Sequence, residues 1–157
     1  MSQVHQRWLS LAVTEAVSSV ATGGGPFGAV IVKDAAVIAT GRNRVTLDVD
    51  PTAHAEVVAI RNACSALSDF ALRGCTLYTS CEPCPLCLAA SHWARLDAIY
   101  FAATRNDAAA AGFDDALFYA ELEKPAAQRA LQVTGLTVSD ATAPFDAWQR
   151  LLGRTAY

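Results

Sequence analysis

Hydrophobic positions along the chain switch between helical and strand-like spacing, with glycine and proline at the changes. Val4, Trp8, Leu11, Ala12, Glu15 and Ala16 fall at helical spacing, and Leu9, Val13 and Val17 widen the apolar face. An amphipathic helix is predicted, ending before Thr22-Gly23-Gly24-Gly25. Gly28 to Val32 reads as a buried strand. Ala36 to Thr40 returns antiparallel through Lys33-Asp34-Ala35, where Ala35 takes a place that tight hairpins usually give to glycine. Gly41-Arg42-Asn43-Arg44 leaves that strand, and Val45 to Val49 reads as loop. Asp50-Pro51-Thr52 signals a helix start capped by either Asp50 or Thr52. Val57, Ile60, Cys64 and Leu67 then repeat on its inner face, which makes Cys64 a small core hydrophobe and not a ligand. Cys75 to Thr79 is a strand, a helix follows from Cys84 through about Trp93, and Leu96 to Ala102 is another strand. Strand, helix and strand at this spacing imply a parallel pair with a right-handed crossover.

Beyond Thr104 the signals are shorter. Asp107 to Ala111 reads as a helical turn, and Ala116 to Glu123 as a helix that Pro125 stops. Residues 132–134 and 136–138 each read as a short strand. Pro144 introduces a last helix with Phe145, Trp148 and Leu152 on one face. The order of elements predicts an α/β fold, a three-layer α/β/α sandwich around a mixed sheet of about five strands, as one domain over residues 1–157.

Composition narrows the class. Of 157 residues, 53% are hydrophobic and 17% charged, which suits a packed core and argues against disorder. The net charge is −3 and no Lys/Arg run appears, so no nucleic-acid partner is expected. His5, Arg7 and Glu15 interrupt any signal-peptide core, and no apolar run reaches membrane-span length. Five cysteines, three of them between Cys81 and Cys87, read as metal binding in a reducing compartment and not as a disulfide framework. The expectation is a cytoplasmic protein without a membrane partner.

The candidate chemistry lies at two helix starts. With Cys84 as N-cap and Pro85 as the first helical residue, Cys84 and Cys87 bracket one turn, so both sulfurs can meet one metal. His54-Ala55-Glu56 stands at the start of the preceding helix. Each piece alone is weak, since His-x-Glu is common on surfaces and Cys-x-x-Cys also serves redox chemistry. Together they supply three zinc ligands, His54, Cys84 and Cys87, and leave a fourth position open, as in catalytic zinc. On an ideal helix His54 and Glu56 stand about 200° apart. In the first turn that objection lapses, because side chains there reach past the helix end. Glu56 then lies beside the metal as the general acid/base. Two rival readings stay open: Cys81 as fourth ligand of a closed Cys3His site, or Cys81 as a buried thiol.

H-x-E followed by P-C-x-x-C is the signature of the zinc deaminases that act on nucleobases. The chain resembles the cytidine/deoxycytidylate deaminase superfamily, and more closely the short bacterial guanine deaminases. The resemblance is carried by Gly25 to Asp34, Asp50 to Val57, Leu77 to Cys84, Ala111-Gly112-Phe113-Asp114-Asp115, Pro144-Phe145 with Trp148, and Tyr157. It implies a cytidine deaminase-like fold, one zinc per subunit, and hydrolytic deamination of guanine to xanthine and ammonia. It also implies that Asn43 hydrogen-bonds the base, Phe27 and Trp93 pack its face, and Asp115 receives the exocyclic amine. The resembling enzymes exchange the C-terminal segment between subunits of a homodimer, which here would be residues 139–157, with Tyr157 closing the partner's site. Packing of that segment on its own subunit is the simpler alternative. The same zinc motif also serves isocytosine, cytosine, ammeline, guanosine or tRNA adenosine as substrate, and a non-catalytic zinc module is the remaining class.

Overall fold

The computed structural model describes residues 3–157. Two compact units make up the chain, Met1–Asp115 and Ala116–Tyr157. The first unit holds four strands, β1 (Gly28–Lys33), β2 (Ala36–Arg42), β3 (Cys75–Cys81) and β4 (Ala98–Ala103), in the order β2-β1-β3-β4. It also holds helices α1 (Gln3–Ala21), α2 (Val45–Asp48), α3 (Ala55–Leu67), α4 (Pro85–Trp93) and α5 (Arg105–Ala110). β1 pairs antiparallel with both β2 and β3, and β3 pairs parallel with β4 through the α4 crossover, so the sheet is mixed as the sequence predicts.

Strand periodicity sorts the core into two layers. On β1 and β3, Val30, Val32 and Tyr78 face one side and meet Trp8 and Ala12 of α1. Ala29, Ile31, Cys75 and Leu77 face the other and meet Ala55, Ala59, Ile60 and Ala63 of α3. Ala90 and Ala94, within and just after α4, extend that second layer. Helices therefore cover both faces. Trp8, Ala12, Ala16 and Ser19 are the buried stripe of α1, while Val4, Val13 and Val17 stay exposed. α3 lies unusually close to β2 at Gly41, where a Cβ would fall 2.1 Å from the Ala55 carbonyl oxygen and 2.4 Å from the Ala59 nitrogen. Only glycine permits this approach, and it seats the first turn of α3 against the sheet.

Several boundaries differ from the sequence reading. The sheet among the described residues has four strands, not about five. Residues 132–138 form no strand, because each apolar run is three residues long, Gly135 separates them, and so few ladder bonds cannot offset the cost of ordering the chain. Residues expected as loop form the short α2, held by a bidentate Arg44–Asp48 pair at 2.7 and 2.6 Å. α5 begins earlier than expected because Thr104 and Asp107 make a reciprocal capping box. α3 is capped by neither Asp50 nor Thr52. Asp50 Oδ1 instead accepts the Thr52 N–H at 2.8 Å in an Asx turn, and His54 is the capping position. The second unit holds α6 (Ala116–Glu123), a 3-10 turn at Ala126–Gln128 and α7 (Ala143–Arg150).

The hairpin joining β1 to β2 carries a local strain. Asp34 and Ala35 both adopt positive φ, 49° and 57°, the tight turn that suits the twist of antiparallel strands. An alanine there keeps a Cβ too near its own carbonyl. Ala35→Gly is expected to stabilise the protein by about 1 kcal/mol, raising Tm by a few degrees. Thermal denaturation of the two proteins checks this, and an unchanged or lower Tm contradicts it.

Candidate active site

Two helix beginnings converge on one point. His54 is the N-cap of α3 and Cys84 the N-cap of α4, both with extended backbone (φ −65°, ψ 152° and φ −69°, ψ 169°) and neither using its side chain to cap. The geometry removes the 200° difficulty. His54 precedes the helix, so it need not share a helical face with Glu56. His54 Nδ1 lies 3.5 Å from Cys84 Sγ and 3.4 Å from Cys87 Sγ, and the two sulfurs are 3.7 Å apart. A tetrahedral zinc with bonds of about 2.3 Å to sulfur and about 2.0 Å to nitrogen would have an S–S edge of about 3.8 Å and S–N edges of about 3.5 Å. The triangle already has those dimensions. Among the described residues, these three form the cluster of ligand-bearing side chains able to hold a metal ion.

Cys81 stays outside this triangle. It is buried, and its Sγ points at the Thr104 carbonyl oxygen, 3.5 Å away. The closed four-ligand alternative therefore finds no support, and one face of the triangle is left to a non-protein ligand.

Glu56 sits in the first turn of α3 and is only 5% exposed. Burial pushes its carboxyl group up from the usual range, opposed by hydrogen bonds to its own backbone and to Cys87. The Thr79 hydroxyl donates to Glu56 Oε1 at 3.3 Å from the central strand β3. Sequence spacing assigns Thr79 to a strand and no more. Nothing local in the chain signals that a residue 23 positions away holds the glutamate.

The cysteine pair divides its protons unequally. The Cys84 thiol is pulled down to about 4, first by the hydrogen bond from Cys87 and then by His54, against the cost of burial. Cys87 is pushed upward because it supplies that hydrogen bond and is itself buried. His54 is raised, chiefly by its hydrogen bond to Cys84. Without metal, the site favours a thiolate at Cys84, with Cys87 and His54 both biased toward keeping their protons.

The remaining expected residues fall into two groups. Asn43 follows β2 and is buried, and the Arg44 N–H next to it donates to the carbonyl of Ala53, which precedes His54, at 2.9 Å. Phe27 is half-buried, packs on the α3-side core and meets Phe113 edge-on, with ring centroids 5.1 Å apart. Asp115 is raised by burial and by the negative Cys84 thiolate, which places its carboxylate within electrostatic reach of the triangle. Trp93 lies at the end of α4 opposite Cys87, exposed, with the Arg95 guanidinium 5.7 Å from its ring centroid. Tyr157 belongs to the second unit and is exposed.

Residues 2–103 match the family model described as the cytidine and deoxycytidylate deaminase zinc-binding region. The chain belongs to this deaminase family. Its likeness to one kind of member runs nearly end to end: it is 52% identical over 154 residues to the guanine deaminase of Bacillus subtilis (strain 168), covering 98% of this chain and 99% of that one. An X-ray structure of guanine deaminase from Bacillus subtilis superposes with a TM-score of 0.95 at 51% identity, covering 100% of this chain and 99% of the other. A solved relative in complex with 2,6-diaminopurine is 32% identical with a TM-score of 0.67, covering 69% of this chain and 61% of its own. The tRNA-specific adenosine deaminase of Aquifex aeolicus (strain VF5) is 41% identical, but over 96 residues, 61% of this chain and 64% of that one.

Zinc held by this triangle would need both cysteines as thiolates and His54 neutral, so loading would displace the Cys87 proton and whatever proton His54 carries. Addition of zinc to metal-free protein in weak buffer at pH 7 is expected to release about one to two protons per site, and affinity should fall as pH falls. Indicator-dye titration measures both. Zinc uptake with no proton release contradicts this protonation scheme.

Proposed function

We propose that the protein deaminates guanine hydrolytically, guanine and water giving xanthine and ammonia. The observation that carries the reaction type is the buried Glu56 beside a ligand triangle of tetrahedral-zinc dimensions with one face unused. Zinc held by His54, Cys84 and Cys87, one ion per subunit, would supply Lewis-acid activation of water. Glu56 takes one proton from that water and delivers it to the ring nitrogen beside the reacting carbon, then takes the second from the added hydroxyl and passes it to the amine, which leaves as ammonia as the carbonyl forms. A carboxyl group raised by burial suits a residue that must both accept and return a proton. Thr79 holds one carboxylate oxygen from the central strand β3.

The choice of guanine rests on the extent of the likeness. Similarity to the guanine deaminase of Bacillus subtilis covers 98% of the chain at 52% identity, whereas matches to tRNA-specific adenosine deaminases cover 61% of it at 41% identity and 73% at 35%. A net charge of −3 also disfavours a tRNA substrate. In this reading Phe27 and Trp93 pack the face of a small purine base, with Asn43 donating to it and Asp115 accepting the exocyclic amine.

The second unit supports a homodimer in which the segment from residue 139 crosses to the partner, bringing Tyr157 over the partner's site. No residue of Ala116–Tyr157 is buried, although Leu117, Phe118, Leu122, Phe145, Trp148 and Leu152 are all large and apolar. So much ordered apolar surface calls for a covering partner, and a second copy supplies matching surface. No helix among the described residues is long and apolar enough to cross a membrane, and all five cysteines are unpaired, which supports a reducing, cytoplasmic setting.

Ammonia release from zinc-loaded protein across guanine, guanosine, cytosine, isocytosine, ammeline and a tRNA substrate tests the proposal, with guanine expected to be preferred. Glu56→Gln should lower kcat by a factor of about 10³ or more while zinc content stays at one per chain. Loss of zinc in that variant, or preference for another substrate, overturns the assignment. Deletion of the last five residues should lower activity or change the oligomeric state, and full activity with an unchanged state removes the lid role of Tyr157.

A further inference from the structure

Asn43 is held in a socket that specifies how its side chain faces. Its backbone N–H donates to the Phe27 carbonyl at 3.0 Å, and its own carbonyl accepts the Ser19 hydroxyl at 3.0 Å. Ser19 is fully buried on α1, a position that sequence periodicity does not mark as functional. Asn43 Oδ1 accepts two main-chain N–H groups, from Gly25 and from Val45, each at 3.3 Å. Two N–H donors can be met only by the carboxamide oxygen, so its orientation is dictated. Every polar group of Asn43 is thereby engaged except Nδ2, which has no hydrogen-bond partner among the described residues and retains both hydrogens for donation.

Gly25 forms the tight wall of this socket. A Cβ on it would stand 2.9 Å from Asn43 Oδ1, 3.0 Å from Cγ and 3.4 Å from Nδ2. Its φ is outside the left-handed region, so an alanine meets no backbone strain, and the carboxamide is what must yield. We propose that Gly25 is a positioning residue for substrate selection: its N–H and its missing side chain aim the two Asn43 Nδ2 donors at acceptor atoms on the base edge. This rests on the role given to Asn43 in guanine recognition. A base presenting an amino group there would set donor against donor and leave both unpaired, so the aim of the carboxamide favours bases with carbonyl or ring-nitrogen acceptors.

The test is a double-mutant cycle with a spectroscopic arm. Gly25→Ala is expected to lower kcat/KM for guanine by about 10- to 100-fold, since a misplacement of about 1 Å carries a cost of that order. In an Asn43→Ala background the same change should cost no more than about twofold, because its effect passes through the missing side chain. Equal losses in both backgrounds, or no loss in either, overturn the proposal. The second arm needs no turnover. The Asn43 side-chain NH2 pair in a 15N–1H spectrum, identified by its absence in Asn43→Ala, should shift or broaden in Gly25→Ala. An unmoved pair overturns the proposal even if activity falls. Failure of the wild-type protein to turn over guanine counts instead against the proposed substrate.

Discussion

The site depends on two helices that begin side by side at one end of the sheet. A helix start leaves its first N–H groups without intrahelical partners and collects a partial positive charge, which favours thiolate over thiol. At α3 and α4 the capping positions are given to His54 and Cys84, and neither side chain serves as a cap. Stability is sacrificed at both places so that imidazole and sulfur face one another across 3.5 Å. Gly41 makes this possible from below, since it lets α3 settle close enough to β2 for its first turn to reach the α4 start. The ligand triangle is a consequence of helix–sheet spacing as much as of the ligands themselves.

Electrostatics then separates the roles. A thiolate at Cys84, a thiol at Cys87 and a raised imidazole at His54 form a network poised to exchange protons for a dication. Glu56 stands a short way off, buried and hydrogen-bonded by Thr79, and is shifted in the opposite sense from a salt-bridged carboxylate. Neighbouring side chains of similar chemistry thus acquire distinct duties from their surroundings. The buried position of the glutamate matters more than its distance in sequence from the histidine.

The two units contrast in how they are held together. The first buries apolar layers on both faces of its sheet. The second has helices and hydrogen bonds of its own, such as the Ala130 N–H to Glu121 at 2.6 Å, but leaves its large apolar side chains uncovered. Hydrogen bonds among exposed groups add little net stability, because water competes for them. A segment of this kind has apolar surface still to bury, and the proposed exchange between two copies would bury it.

Much of this was legible in the chain. The strand–helix–strand unit, the Cys84 cap with Pro85 behind it, and the His-x-Glu and Cys-x-x-Cys pairing follow from short-range rules, because proline geometry, helix periodicity and strand alternation act within a few residues. The short strands expected at 132–138 and the cap expected at Asp50 or Thr52 failed for a related reason. Local propensity was present there, but no partner strand or helix turn confirmed it. Other features depend on residues far apart in sequence. Thr79 meets Glu56, Ser19 and Gly25 fix Asn43, and Cys81 turns away from the metal triangle toward Thr104. The sequence by itself determined which chemistry the chain carries, since ligand and base types are written in two short motifs. Tertiary structure alone decided which side chains share one point in space and how each faces, because orientation is set by packing and hydrogen bonds between segments that no local pattern connects.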